Sequence, residues 1–357
     1  MGSSGDRTVM ESIRAEIAAT GPMRFDRFME LTLYGPGGYF RSPVLHSQRA
    51  GDFLTSPEVS PSFGATLANA VAFERERVGR PFTVVESGAG SGSLLRPLVD
   101  ALEPSPDRVI AIEVSSAARG ALIERLPEAE VVDSFDAVPV SFSGVMLANE
   151  LLDNLPAALG IRRGSTWLER AVGTSGESLT WVEVEARTDV VRWAEFHGGR
   201  VPDGGQVEVQ IEAGRWLAAA LGRLSAGAVI VIDYGETAEG LEHRRPEGTV
   251  RTYQNHHLGP DPLVAPGLTD VTMDVNFTAL ASIAVEHGAI TELWRQDDYL
   301  AQWGLLGLIE ELKSREHEAA VAGTAMERLR RRSLVTGAET LLHPRGLGDF
   351  RVLVARV

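Results

Sequence analysis

Three alternate glycines, Gly88, Gly90 and Gly92, follow the apolar run Phe82–Val85 and the carboxylate Glu86. Such spacing lets a chain turn sharply out of a strand and bring its backbone against a ligand with no Cβ in the way. The dinucleotide pattern would need a glycine at position 93, where this chain has Ser93, and Glu86 would repel a pyrophosphate. An acid at that place suits positive charge instead, such as a sulfonium and an α-amino group. Glu113 ends the next apolar run, roughly twenty residues after the loop, where an acid accepts bonds from ribose hydroxyls. The same acid can instead cap the following helix beside Ser115 and Ser116. Asp133, one run further on, is placed to accept from an adenine amino group.

A second constellation follows the run Val145–Ala148: Asn149, Glu150 and Asp153. Two carboxylates there can hold a guanidinium by charge-assisted bonds and localise a lone pair on an attacking nitrogen. Asn149 and Glu150 can equally ligate the end of a cofactor or cap the next helix. Asp52, Thr55, Ser56 and Glu58 form a polar cluster with aromatic neighbours, and Ser56-Pro57-Glu58 equally suits a helix start. Tyr234 is a packing aromatic or a wall of the acceptor pocket. Arg251 and Tyr253 flank His256, the candidate general base. His256 and His257 are adjacent, not one helical turn apart, so no metal pair is expected.

The elements that must position these groups alternate. Val9, Ile13 and Ile17 fall at helical spacing, and 25–33 and 62–78 also read as helices. Short apolar runs at 82–86, 109–113, 130–133, 145–150 and 228–233 read as buried strands, the first four separated by helical segments. That is the pattern of a doubly wound α/β sheet covered on both faces. The gap between the fourth and fifth strands is far longer than one crossover needs. We therefore expect an inserted substrate-side lobe over 157–215, with strand-like runs at 167–172, 179–185 and 206–211. The remaining division is an N-terminal helical segment and cover over 6–80, and a core over 81–156 and 216–357. A helix at 277–287, a strand at 289–296, mostly helix over 298–332 and an antiparallel last strand at 349–357 complete the core.

Bulk properties narrow the function. The 357 residues contain no cysteine, which excludes disulfides, thiolate metal sites and a cysteine nucleophile. A formal net charge of −15 opposes binding to phosphate backbones, so nucleic acid is not an expected partner. No stretch is apolar enough to span a bilayer, so no membrane partner is expected, and no signal-peptide core is recognisable. With the missing cysteines, this predicts a cytoplasmic protein. A homodimer is compatible with the chain.

Several separated blocks resemble one family, the MidA-like (DUF185) methyltransferases, which include a mitochondrial complex I assembly-factor arginine methyltransferase. The resemblance runs from about Phe28 to the last strand. It rests on Leu33–Phe40, Gly51–Glu58, Glu86–Gly92, Ala148–Pro156, Trp167 with Glu169 and Val172, Glu208, Ile232–Gly235, Gly248–His256, Pro266-Gly267 and Asp270–Thr272. It implies a Rossmann-like methyltransferase sheet and S-adenosylmethionine as cofactor. Gly51, Thr55, Pro57, Glu86, Gly88, Gly90, Gly92, Glu113, Asp133 and Asn149 are then the cofactor residues. Glu150, Asp153 and His256 are the candidate catalytic residues, and Tyr234, Arg251 and Tyr253 the substrate side. The methyl acceptor is a nitrogen or oxygen of a protein side chain, arginine included, or of a small molecule. This chain departs from the family pattern at Ser87, Ser91, Asn154, Asp274 and Asn276. The last two are expected near the substrate mouth, and they motivate the alternative of a non-catalytic, cofactor-binding assembly factor on the same fold.

Overall fold

The apolar runs become one seven-stranded sheet. Its strands are β1 (Thr83–Ser87), β2 (Arg108–Ile112), β3 (Glu130–Val132), β4 (Phe142–Asn149), β5 (Leu224–Asp233), β6 (Ile290–Arg295) and β7 (Arg351–Arg356). The computed structural model describes residues 4–42, 55–243, 247–254 and 257–357. Across the sheet the order is β3-β2-β1-β4-β5-β7-β6. The pairs from β3 through β5 are parallel, whereas β7 runs antiparallel to both β5 and β6. The expected antiparallel last strand is therefore present, and it lies inside the sheet.

Period-two alternation explains how both faces are covered. Val84, Val145, Leu147, Ile230 and Val352 pack on one face with Phe63 and Leu67 of the helix Ser62–Val78 and with Leu300. Their neighbours Val85, Met146, Val229, Val231 and Leu353 pack on the other with Leu217 of the helix Ile211–Arg223 and Leu280 of the helix Phe277–Glu286. The strand order reverses between β1 and β4. Open α/β sheets bind ligands at that point, beyond the carboxyl ends of the strands. Glu86, near the end of β1, and Asn149, at the end of β4, both sit there.

A second sheet of five strands is built from Ala158–Arg163, Thr166–Ser175, Ser178–Glu185 and Gln206–Val209, together with Met23–Arg24. The helix Thr188–His197 packs against it through Val190, Trp193 and Ala194. The next helix, Ile211–Arg223, belongs to the main sheet by its contacts. Recruitment of Met23–Arg24 was not legible in the sequence, because a two-residue strand carries no periodicity. The pairing Met23↔Val172 and Arg24↔Ala171 ties the N-terminal segment to the insertion.

A buried carboxylate fastens the same joint. Glu169 is fully buried. It accepts from Arg24 Nη1 at 2.5 Å, from the Arg187 backbone N–H at 2.7 Å and from Arg187 Nη2 at 2.9 Å. Arg187 also reaches Asp26 at 2.6 Å. Removing the carboxylate leaves two guanidiniums, each about one-third exposed, facing one another with Asp26 to pair only Arg187. Glu169→Ala is expected to cost about 1–2 kcal/mol, read as a lower denaturant midpoint, with faster proteolysis of the N-terminal segment.

Candidate active site

A cleft opens at the carboxyl edge of β1, β2 and β4. It encloses about 940 Å³ of atom-free space, counted out to its mouth. Thr55, Pro57, Glu86, Gly88, Gly90, Glu113, Asn149 and Glu150, all candidates from the sequence, line it together. No lysine or arginine is among the described residues of its wall.

The glycine loop is shaped by the end of β2. Gly88 and Ala89 donate their backbone N–H to the Ile112 carbonyl at 2.9 and 3.0 Å. Gly88, Gly90 and Gly92 have φ of +74°, +52° and +78°, a region where a side chain is strained. At Gly92 a Cβ would also lie 2.6 Å from Leu122 Cδ1. Glu113 completes the loop: Oε2 accepts from Gly90 N at 2.8 Å and Oε1 from Ser115 N at 2.7 Å. Glu113 thus ties down the turn after β2 while lining the cleft, and the helix Ser116–Arg125 is capped by Ser115, whose Oγ accepts from Ala118 N. Burial raises its pKa against those two amide bonds.

Two buried polar atoms in the wall have no partner among the described residues: Glu86 Oε2 and Asn149 Oδ1. Burial, and then the nearby Glu113, push Glu86 well above the usual carboxylate range. Glu150 follows β4 with φ of +50°, a strained value for a residue with a side chain. Its Oε1 accepts from Ser56 N at 3.1 Å and Asn149 Nδ2 at 3.2 Å. Its pKa is pushed up to about 8, first by burial and then by Asp153.

Thr55 and Glu58 form a reciprocal capping box around the one-turn helix Ser56–Val59, with Pro57 in its first turn. Helix start and cleft wall are therefore one feature. Opposite, the helix Phe25–Met29 widens into a π-helical turn, Glu30–Tyr34, a distortion frequent at functional sites. It delivers Tyr34 to the cleft, stacked on Phe40 with ring centroids 5.5 Å apart. These two aromatics were missed at the sequence level. The available signal was an aromatic on each side of the Gly/Pro turn at 35–38, but Tyr39 carries the same signal and is wholly buried in the core.

Other candidates fall elsewhere. Asp133 is exposed just beyond β3 and is not among the described residues of the cleft wall. Asp153 is buried behind the wall, where Oδ2 accepts from the Tyr234 hydroxyl and from Thr272 Oγ1, the latter at 2.7 Å. Burial raises its pKa against those bonds and the charge of Arg251. Arg251 lies over the Tyr234 ring at 4.6 Å, pairs with Asp274 at 2.7 Å and donates to the Tyr253 hydroxyl at 3.2 Å. Tyr234, Arg251 and Tyr253 thus form a polar scaffold with Asp153 behind the turn after β4, and none of them lines the cleft. Gly51, Asp52 and His256 lie outside the described residues.

The departures from the family pattern have local partners. Ser87 accepts from Trp216 Nε1 at 3.3 Å. Ser91 and Ser93 share a hydrogen bond of 3.1 Å, and Arg125 donates to Ser93 at 3.0 Å. Asn154 donates to Asp270 at 2.8 Å and lends its carbonyl to the Tyr34 hydroxyl. Asn276 caps the helix Phe277–Glu286 through Ala279 N at 3.0 Å. Asp274 and Asn276 thus lie in the scaffold and not at the cleft mouth, which removes the observation that favoured a non-catalytic protein.

A family profile described as "Putative S-adenosyl-L-methionine-dependent methyltransferase" matches residues 66–294. A protein from Burkholderia thailandensis, solved with S-adenosyl-homocysteine bound, superposes with a TM-score of 0.87 at 26% identity, covering 99% of this chain and 93% of that one. A native structure from the same organism gives 0.83 at 29% identity, covering 99% and 92%. Protein arginine methyltransferase NDUFAF7, mitochondrial, from Homo sapiens is 25% identical over 96% of this chain and 81% of its own length. The NDUFAF7 homolog from Drosophila melanogaster is 27% identical over 80% and 72%. The two NDUFAF7 relatives are mitochondrial proteins, which corrects the expectation of a cytoplasmic one. No helix among the described residues is long and apolar enough to cross a membrane. With a profile match over more than half its length and one architecture shared end to end, the chain belongs to the MidA-like family of S-adenosylmethionine-dependent methyltransferases, the family of mitochondrial NDUFAF7.

Proposed function

We propose that this chain binds S-adenosylmethionine in the cleft and transfers its methyl group to a nitrogen of a basic protein side chain, arginine being the acceptor. One observation carries the reading: a cleft walled by Glu58, Glu86, Glu113 and Glu150, with two aromatic rings and no basic residue among its described residues. Such a wall attracts cations and repels anionic acceptors. The names of the NDUFAF7 relatives point the same way.

The residues present fit the cofactor. The unpartnered Glu86 Oε2 suits its α-amino group. Glu113 keeps lone pairs for ribose hydroxyls beyond the two it lends to backbone amides. Val114 and Ala118 offer an apolar flank for a flat base. The cofactor supplies a methyl group on positively charged sulfur, so the protein has to align the acceptor and manage one proton. Tyr34 and Phe40 would hold the flat cation by its face. Glu150, with Oε1 engaged by Ser56 and Asn149, has Oε2 for the acceptor nitrogen. A docked cation draws the proton off Glu150. The resulting carboxylate then takes up the proton that the methylated nitrogen sheds.

Five measurements test this. Mass spectrometry after incubation with arginine-containing peptides should find methylarginine; a base-labile methyl ester, or no transfer to any basic side chain, overturns the acceptor. Because the free protein holds a proton on Glu150 up to pH about 8, affinity for an arginine-containing peptide should rise between pH 6 and 8 and level off above. Calorimetry in buffers of different ionisation heat should show about one fewer proton released at pH 7 in Glu150→Gln. The same proton means that the unliganded fold loses stability as pH climbs toward 8, since the unfolded chain has already released it. Gly90→Val places a β-branched residue at φ +52° and should weaken cofactor binding by about 100-fold.

A further inference from the structure

We propose that Asp233 is the positioning residue that holds Glu150 at the cleft. The two never need to touch: Asp233 acts on the turn that carries Glu150. β4 and β5 are parallel neighbours, and their last paired residues are Asn149 and Ile232. The ladder takes one further step, from Glu150 N to the Ile232 carbonyl at 2.8 Å. The chain then turns through Glu150 at φ +50°, a conformation that persists only where the surroundings enforce it.

The enforcing group is the next residue of β5. Asp233 is wholly buried. Its Oδ2 accepts from Leu152 N at 3.0 Å and Asp153 N at 3.3 Å, and its Oδ1 accepts from Tyr234 N at 3.0 Å. One carboxylate therefore caps the single turn of 3₁₀ helix at Leu152–Asn154 and anchors the exit of its own strand. The turn has no slack: it starts on the ladder at Glu150 and is seized again two residues later. Within that turn the Glu150 side chain is received at the cleft wall by Ser56 N and Asn149 Nδ2, and Leu151 beside it also lines the cleft. The same aspartate lends nothing to the cleft lining, so it has no contact of its own with a ligand. Further support comes from behind, where Tyr234 and Thr272 grip Asp153.

The inference rests on the proposed role of Glu150, and a double-mutant cycle separates the two. Steady-state methyl transfer is measured for the full-length protein, for Asp233→Asn, for Glu150→Gln and for the pair, from pH 6 to 9. Asp233→Asn should lower kcat by about tenfold with KM for the cofactor changed less than about twofold, and should displace the pH profile of kcat. In the Glu150→Gln background the same change should have almost no effect on kcat. Equal losses in both backgrounds overturn the positioning role and leave Glu150 in place. An unchanged kcat in Glu150→Gln alone overturns the catalytic reading instead. Should Asp233→Asn fail to fold, hydrogen exchange on the unmodified protein decides: the Leu152 and Asp153 amides should exchange as slowly as those of β4, and rapid exchange there overturns the clamp.

Discussion

The structure depends on burying carboxylates at one edge of a sheet without burying cations beside them. Glu86 and Glu113 stand at the ends of β1 and β2, Glu150 just past β4, and Asp233 at the end of β5. Desolvation disfavours their charged forms, and it heads the causes that raise all four. Backbone amides compensate part of that cost: Gly90 and Ser115 for Glu113, Ser56 for Glu150, Leu152 and Asp153 for Asp233. What is left over is an acceptor-rich, cation-free cavity. Its geometry is set by the same amides that make it tolerable.

Much of this edge was legible in the residues. Strands β1, β2, β4 and β5 announced themselves as short apolar runs, because a strand covered on both faces has no polar side to show, and β3 at the edge showed only Val131 and Val132. The acids at their ends were found because they follow those runs directly. The loop was found because its glycines alternate and left-handed backbone favours that residue. Family blocks then supplied the cofactor, which the loop alone could not.

The remainder failed for two physical reasons. Side chains on one turn can face opposite ways, and spacing does not reveal which. Glu150 and Asp153 are three residues apart, yet one lines the cleft and the other lies behind it with Tyr234 and Arg251. Likewise Tyr34 and Phe40 reach the cleft while Tyr39 fills the core. The second reason is distance along the chain. Met23–Arg24 completes a sheet whose other strands begin at Ala158, and no local pattern predicts a partner so far away. The joint there needs Glu169 to reconcile Arg24 with Arg187, a match that exists only after folding.

The place of β7 carries a consequence for how the molecule is made. This strand comes last in the sequence but lies between β5 and β6, paired with both. On a ribosome the β3-β2-β1-β4-β5 portion can assemble as it emerges, while β6 must wait for a neighbour that has not been synthesised. Until then the far side of β5 is an open edge of apolar residues, Val229 to Ile232, of the kind that invites pairing with other chains. Closure of the sheet therefore waits for β7, and the nascent chain carries this edge unpaired until β7 slides into its slot.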